Sequence, residues 1–118
     1  MIGNLALSNT INMKLGLVIY SNDSETIWNG FRLANLSLDK GDEVKAFLLA
    51  KGVEAETLST EKYDILGQME RFTSKGGEIL ACGTCLKIRG SEGTELCPLS
   101  TMEDLYSLIA ASDKVISL

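Results

Sequence analysis

The chain has 118 residues, a formal net charge of −5 at pH 7, 45% hydrophobic residues and one proline, which together predict one globular domain and not a disordered segment. The acidic balance, with no basic stripe or cluster, argues against binding of nucleic acid and against a membrane-surface protein. The sequence contains no histidine, which excludes Ser-His-Asp triads, Cys-His proteases and histidine-ligated metal sites.

The first twelve residues predict neither a signal peptide nor a membrane span. They carry no positive charge, and polar residues interrupt their apolar ones, whereas both kinds of segment need an uninterrupted apolar run. We interpret residues 1–12 as an appendage and residues 13–118 as the domain. Three cysteines without a secretory signal indicate a reducing compartment, so we expect a cytoplasmic protein.

The first predicted elements are a strand, a loop and a long helix. Lys14 to Tyr20 is a short β-rich run, and Asn22 followed by Glu25 resembles a capping arrangement for the helix that comes next. Gly41 predicts the end of that helix. Its apolar stripe is wider than one sheet contact requires, so we expect part of it to meet another subunit; the stripe includes Trp28, Phe31, Leu33 and Leu36.

The middle of the chain predicts a second strand, a loop, a helix and a third strand. Glu43 to Ala50 is the strand, and Lys51 to Thr60 is interpreted as a loop too polar and glycine-broken to join the core. A helix then ends at Gly76-Gly77; its apolar positions are Ile65, Leu66, Met69 and Phe72. The third strand, Glu78 to Ala81, ends directly on Cys82.

The last part predicts a short helix over Gly83 to Arg89 and a possible strand over Glu95 to Pro98. Ser100 and Glu103 have the spacing of a capping box for another helix, and Lys114 to Leu118 predicts the final strand. Strands that alternate with helices indicate an α/β domain with a largely parallel sheet, right-handed crossovers and helices on both faces.

Cys82 is the first candidate for chemistry because it ends a strand where a helix begins. Ligands in open α/β sheets gather at the carboxyl ends of strands, and a helix N-terminus favours a thiolate. Gly83 would leave the approach open, and Lys87 and Arg89 would add positive potential. We therefore expect a lowered pKa for the Cys82 thiol, the alternative being a small buried residue that only packs.

A second thiol follows three residues later, because the segment Cys82-Gly83-Thr84-Cys85 is a CxxC motif. Thiols at this spacing can face each other and exchange disulfides. Cys97 is interpreted as a packing thiol. We expect no metal, since zinc would need a carboxylate or a ligand from another subunit to complete the site, and the lack of a glycine-rich phosphate loop predicts no nucleotide cofactor. Asn22 could bind a ligand at the same end of the sheet or simply cap the helix.

Three segments, KLGLVIYSND, ILACGTCLKIRG and ELCPLSTMEDL, resemble small archaeal and bacterial members of the DsrE/DsrF-like family, which has the YchN-like fold. The resemblance covers about Met13 to Leu118. In the sulfur-relay members a cysteine ends a strand, a short helix follows and an Arg-Gly pair closes it, and Cys82 and Arg89-Gly90 match that pattern. Cys85 is instead a feature of a CxxC-bearing branch of the family.

The resemblance implies a three-layer α/β/α fold with a sheet of about five strands, assembly into homotrimers or homohexamers, and carriage of sulfur as a cysteine persulfide. The expected function is that of a sulfur carrier or sulfurtransferase, with Cys82 as acceptor, Cys85 as resolving or second carrier thiol, and protein thiols as partners. Two alternatives remain: a thiol–disulfide switch made by Cys82 and Cys85, and a non-enzymatic oligomeric interaction module.

Overall fold

A five-stranded, all-parallel sheet forms the centre of the protein in a computed structural model that describes residues 12–118. The strand order is β4-β3-β2-β1-β5. The strands are β1 Lys14–Ile19, β2 Glu43–Leu48, β3 Glu78–Cys82, β4 Leu99–Ser100 and β5 Lys114–Ser117. Central strands of a parallel sheet are covered on both faces and therefore need nearly continuous apolar runs, as β1 and β2 have.

Four α-helices and one 3₁₀ segment connect the strands within the described residues. They are α1 Ser24–Asp39, the 3₁₀ segment Ala50–Thr57, α2 Ile65–Ser74, α3 Gly83–Ile88 and α4 Met102–Ala111. The α-helices lie where the sequence predicts them. The turns after α2 and α3 contain Gly76 and Gly90 with positive φ angles of 97° and 69°.

Helices cover both faces of the sheet. A Cβ added to Gly16 of β1 would lie 2.7 Å from Leu108 of α4, and one added to Gly30 of α1 would lie 3.7 Å from Ile19. Gly16 and Ile19 are an odd number of residues apart along β1, so their side-chain directions point to opposite faces. The α1 and α4 helices therefore lie on opposite sides, which confirms the predicted α/β/α architecture.

The buried interior lies mainly between the sheet and the layer formed by α1 and α2. Phe31 of α1 meets Phe72 of α2 edge to face, with ring centroids 5.6 Å apart, and both are fully buried. Phe31, one of the four residues of the apolar stripe predicted to meet another subunit, therefore belongs to the core and is not available to a partner. Trp28 packs against Tyr63, and only Leu33 and Leu36 of that set are exposed.

Both predicted helix caps are displaced by one residue. Asp23, not Asn22, caps α1, because its carboxylate accepts hydrogen bonds from the N–H and the hydroxyl of Thr26. At α4 the capping box is Thr101 with Asp104. Ser100 cannot take that position because it pairs with Cys82 as the last residue of β4.

Two predicted segments differ from the structure. Residues 51–60 do not form a polar loop outside the core, since the 3₁₀ segment covers most of them and buries Gly52, Val53 and Ala55. The predicted strand Glu95 to Pro98 is displaced. The N–H of Thr94 donates to the carbonyl of Cys97, which closes a turn, and the register with β3 begins at Leu99.

The predicted appendage, residues 1–12, lies outside the described residues except for Asn12. Its side-chain amide donates a hydrogen bond of 2.6 Å to the carbonyl of Lys40 at the end of α1. Over residues 12–118, none of the helices combines the length and apolar character needed to cross a membrane.

Candidate functional site

The register of the sheet determines which residues meet at the end of β3. Cys82 pairs with Ser100, so α3 and α4 both leave the sheet at this point, one starting at Gly83 and the other at Met102. Ala81 pairs in the same ladder with Leu99, and on the other side with Leu48 of β2. The residues that follow β2, β3 and β4 therefore converge around the CxxC motif.

Cys82 is the N-cap of α3. Its thiol sulfur accepts a hydrogen bond from the N–H of Cys85 across 3.4 Å, in the position that a serine or aspartate oxygen usually occupies at a helix start. The residue is only 4% exposed. This confirms the predicted placement at a strand-to-helix junction, with the sulfur directed at the free N–H groups of the helix.

The lowered pKa expected for Cys82 is wrong, because the surroundings raise the pKa of this thiol. Burial is the largest cause, and the neighbouring Cys85 thiol raises the pKa further; the N–H groups of Cys85 and Thr84 act in the opposite direction. Desolvation penalises a thiolate more than one turn of helix can offset. Cys82 therefore rests as the thiol.

Cys85 lies in the first turn of α3 and contacts the 3₁₀ segment. Its sulfur accepts a hydrogen bond from the N–H of Ala50 across 3.3 Å, and the residue is half-buried. Ala50 has a φ of 51°, in the left-handed region that non-glycine residues rarely adopt. The start of the 3₁₀ segment thus brings a backbone donor to the second thiol.

Arg89 joins α3 to the 3₁₀ segment and does not direct its charge at Cys82. Its Nε donates to Glu54 across 2.8 Å, and its Nη1 donates to the carbonyl of Cys85 across 3.1 Å. The Arg89 hydrogen bond is also the largest cause of a lowered Glu54 pKa. Glu54 pairs with the guanidinium, so the contacts of Arg89 do not support the predicted role in activating Cys82. Arg89 instead holds the main chain at Cys85 against the 3₁₀ segment.

Lys87 and Gly83 remain beside Cys82. Both line a cavity of about 330 Å³ that the Cys82 side chain also borders. Gly83 does more than leave the approach open, since a Cβ there would lie 2.7 Å from the Leu99 side chain and 3.0 Å from the Ser100 carbonyl. The glycine therefore lets β4 approach α3 closely. The other lining residues are Thr84, Leu99, Ser100, Thr101 and Met102.

Asn22 is at the same edge of the sheet but borders a separate cavity of about 400 Å³, together with Tyr20, Ser21, Ala50 and Lys51. Its side-chain amide makes a minor contribution to the lowered pKa of Glu54, after the larger effect of Arg89. Asn22 thus supports the Arg89–Glu54 pair and is not among the residues around Cys82.

Cys97 is buried outside the CxxC site, as expected for a packing thiol. Burial raises its pKa strongly, and the Glu56 carboxylate raises it further. Its N–H donates to the Thr94 hydroxyl, which in turn donates to Glu56. Nowhere in residues 12–118 do three histidine, cysteine or carboxylate side chains come together in a way that could hold a metal ion.

Comparison with known proteins agrees with this fold. The model of the DsrE/DsrF-like family matches residues 13–118. The chain belongs to the DsrE/DsrF-like family. It is 36% identical over 101 residues to an uncharacterized protein of Methanopyrus kandleri, an alignment that covers 78% of this chain and 81% of that protein.

The fold of this DsrE/DsrF-like chain is similar to that of the ychN protein from E. coli, whose crystal structure superposes with a TM-score of 0.79. The match covers 90% of this chain and 99% of that one, at 23% sequence identity. The likeness confirms the YchN-like fold inferred from the three sequence segments.

Sequence reasoning missed three contributors to the site of this DsrE/DsrF-like chain. Ala50 and Glu54 come from a segment interpreted as a loop, and the cavity wall from β4 and α4 depends on a strand of two residues. Ala50 acts through its main chain, which no side-chain pattern can reveal. Glu54 and Arg89 are 35 residues apart, so their pairing has no local signal in the sequence.

Proposed function

We propose that this protein is a cysteine-based sulfur carrier or sulfurtransferase that passes persulfide sulfur between thiols, with Cys82 as the acceptor and Cys85 as the second carrier or resolving thiol. The observation that carries the proposal is the placement of two free thiols at the start of α3, one of which borders an open cavity. Membership of the DsrE/DsrF-like family, often linked to sulfur metabolism, supports it.

Persulfide transfer suits a site that has no histidine. The Cys82 sulfur attacks the outer sulfur of a donor persulfide, the S–S bond of the donor breaks, and the donor leaves as a thiol with the proton that Cys82 gives up. Cys82 then carries the persulfide, and no net oxidation occurs. The fraction of Cys82 that is ionised makes the attack, and the proton it has lost to solvent is replaced on the departing donor thiolate, so the exchange needs no histidine base. The raised pKa makes this fraction small and the exchange correspondingly slow.

Cys85 can receive the sulfur in a second exchange of the same kind. Its sulfur attacks the outer sulfur of the Cys82 persulfide, which returns Cys82 to the thiol and leaves the persulfide on Cys85. Attack on the inner sulfur would instead form a Cys82–Cys85 disulfide and release hydrosulfide. Both outcomes require the two thiols to be neighbours, and the effect of the Cys85 thiol on the pKa of Cys82 reflects that proximity.

A thiol–disulfide switch is the second candidate, and the same proximity favours it. The N–H of Cys85 already contacts the Cys82 sulfur, so only a small movement of the chain would be needed to form a disulfide between the two thiols. A switch of this kind would need an oxidant and would lose two hydrogens without gaining sulfur.

We further propose homo-oligomers, trimers or hexamers, in the cytoplasm, with protein thiols as sulfur partners. Two exposed apolar areas support assembly. Leu33 and Leu36 border a mainly apolar cavity with Leu15 and Ile116, and α4 exposes Met102, Tyr106 and Ile109 at helical spacing. The third candidate, an interaction module without chemistry, would use these surfaces alone.

Intact mass after incubation of the reduced protein with a persulfide donor distinguishes the three candidates. A gain of about 32 Da that disappears in Cys82→Ser supports sulfur carriage. A loss of about 2 Da on mild oxidation, with no gain of sulfur from the donor, supports the switch. Cys97→Ser is the matched control and should behave like the unchanged protein, since Cys97 is buried away from the pair. If neither mass change is observed, only the interaction module remains as a candidate.

A further inference from the structure

We infer that the cavity over Cys82 binds a small persulfide that carries a carboxylate at its other end, and that Lys87 recognises this negative charge. The inference rests on the proposed function and names the class of its donor: the persulfide of a low-molecular-weight thiol with a carboxylate. Protein thiols then remain as acceptors.

The size and shape of the cavity favour a small donor. Its volume of about 330 Å³ is at the lower end of the range for ligand cavities in proteins. The reacting sulfur belongs to a residue that is only 4% exposed. A donor must therefore bring its outer sulfur into the cavity, between the start of α3 and the start of α4, and a small molecule can do so without displacing either helix.

The charge of the cavity wall favours an anion. Lys87 is the one charged residue among the described residues that line it. The ion pairs found in residues 12–118 join Lys75 to Asp39 and Arg89 to Glu54, so the Lys87 ammonium is left for a ligand. Asp104 of α4 is not among the lining residues, and its carboxylate faces the N–H and hydroxyl of Thr101 in the capping box.

The rest of the wall fits the remainder of such a donor. Leu99 and Met102 are both exposed and border the cavity, and they can contact a short aliphatic chain. Thr84 adds a hydroxyl at the first turn of α3. A donor with a sulfur at one end, two methylene groups and a carboxylate at the other would thus meet Cys82, the apolar side chains and Lys87 in turn.

The transfer in this cavity is the exchange described above. The Cys82 sulfur forms a bond to the outer sulfur of the donor, the donor S–S bond breaks, and the departing thiolate takes up the proton that Cys82 has lost. The carboxylate takes no part in the reaction. Lys87 therefore acts on binding of the donor and not on the chemistry of the sulfur, which makes it a specificity-determining residue.

The test compares two donors of similar size and opposite end charge, the persulfides of 3-mercaptopropionate and of cysteamine. The rate at which Cys82 gains sulfur is followed by mass spectrometry in the full chain. Lys87→Glu is the test variant. Lys51→Glu is the control, because it makes the same change in net charge beside the other cavity. Circular dichroism checks that both variants fold.

We expect the carboxylate donor to load Cys82 about tenfold faster than the amine donor at low ionic strength, and Lys87→Glu to abolish or invert the preference. Lys51→Glu should keep it. Equal loading by the two donors, or the same change in both variants, would overturn the inference while the proposed function stands. No loading of Cys82 by either small donor, with loading by a protein persulfide, would also overturn the inference; the proposed function itself falls only if the protein persulfide fails to load Cys82 as well.

Discussion

The main-chain N–H of Ala50 donates a hydrogen bond to the sulfur of Cys85 across 3.3 Å. This contact joins the 3₁₀ segment after β2 to the helix after β3, and Ala50 reaches it with a φ of 51°. The Arg89–Glu54 pair ties the same two elements together. The second thiol of the CxxC motif is therefore held by main-chain geometry from a segment more than thirty residues away in the chain.

Ala50→Gly should stabilise the protein, because glycine adopts a positive φ without the steric cost that alanine has. The larger entropy of glycine in the unfolded chain offsets part of the gain. We expect the free energy of unfolding in urea to rise by about 0.5 kcal/mol with an unchanged m-value. The Cys85 contact should persist, since the N–H remains. Destabilisation would show that the alanine methyl group makes contacts that outweigh the strain.

The alkylation rate of Cys82 should rise with pH to a half-point above that of a free cysteine, because burial and the Cys85 thiol raise its pKa. At pH 7 the reactive thiolate is then scarcer than in a free cysteine. Cys85→Ala should lower the half-point, since it removes the thiol and keeps the helix N–H. Thr84→Ala serves as the control and should leave it unchanged. A half-point below about 8.5 in the unchanged protein would contradict the raised pKa.

The Glu54–Arg89 pair should make stability depend on pH in the acid range. The pKa of Glu54 is lowered in the folded protein, chiefly by Arg89, so its contribution is complete above the unfolded-state pKa and is lost as the pH falls through the folded-state pKa. Glu54→Gln should therefore be less stable than the unchanged protein at neutral pH, with the difference disappearing in acid. Urea unfolding at several pH values measures this, and Glu25→Gln, at an exposed position of α1, is the control. A difference that persists in acid would assign the effect to packing.

Gly52→Ala should be among the more destabilising single substitutions in the 3₁₀ segment. A Cβ at this position would lie 2.0 Å from the carbonyl oxygen of Ile19, and that oxygen is held by the N–H of Leu49. Backbone in an internal strand of the sheet, paired on both sides, cannot move aside easily. We expect a loss of roughly 3 kcal/mol in the free energy of unfolding, whereas Lys51→Ala, on an exposed neighbour, should change it by less than about 0.5 kcal/mol. Equal effects of the two substitutions would show that the segment shifts freely.

Leu33→Glu combined with Leu36→Glu should dissociate the proposed oligomer, because the two exposed leucines and the cavity beside them would be covered in an assembly. Sedimentation at micromolar protein concentration should show a trimer or hexamer before the change and a 12.8 kDa species after it. Lys62→Glu, at an exposed position outside α1, makes the same change in net charge and should leave the assembly intact. A 12.8 kDa species alone in the unchanged protein would rule out the assembly.

Local patterns in the sequence were sufficient for the order and type of the main elements. The apolar runs of β1 and β2 predict buried strands, and Gly76 and Gly90 mark the ends of α2 and α3 because only glycine accepts those turns readily. The position of Cys82 at a strand-to-helix junction was predicted for the same reason, since strand, cysteine and helix are consecutive in the chain. The caps shifted by one residue, because Asn22 and Asp23, or Ser100 and Thr101, are chemically almost equivalent as caps.

Only the tertiary structure decided how the two thiols are surrounded. The chemical state of Cys82 depends on its burial and on the neighbouring Cys85, which no pattern of charges along the chain can report. Arg89 was expected near Cys82, but Glu54 from the 3₁₀ segment pairs with it. The cavity with Lys87 exists because the sheet register sets Ser100 beside Cys82. Residue types and their spacing thus determined which groups are available, and contacts between distant segments determined what those groups face, because desolvation and Coulomb interactions act through space and not along the chain.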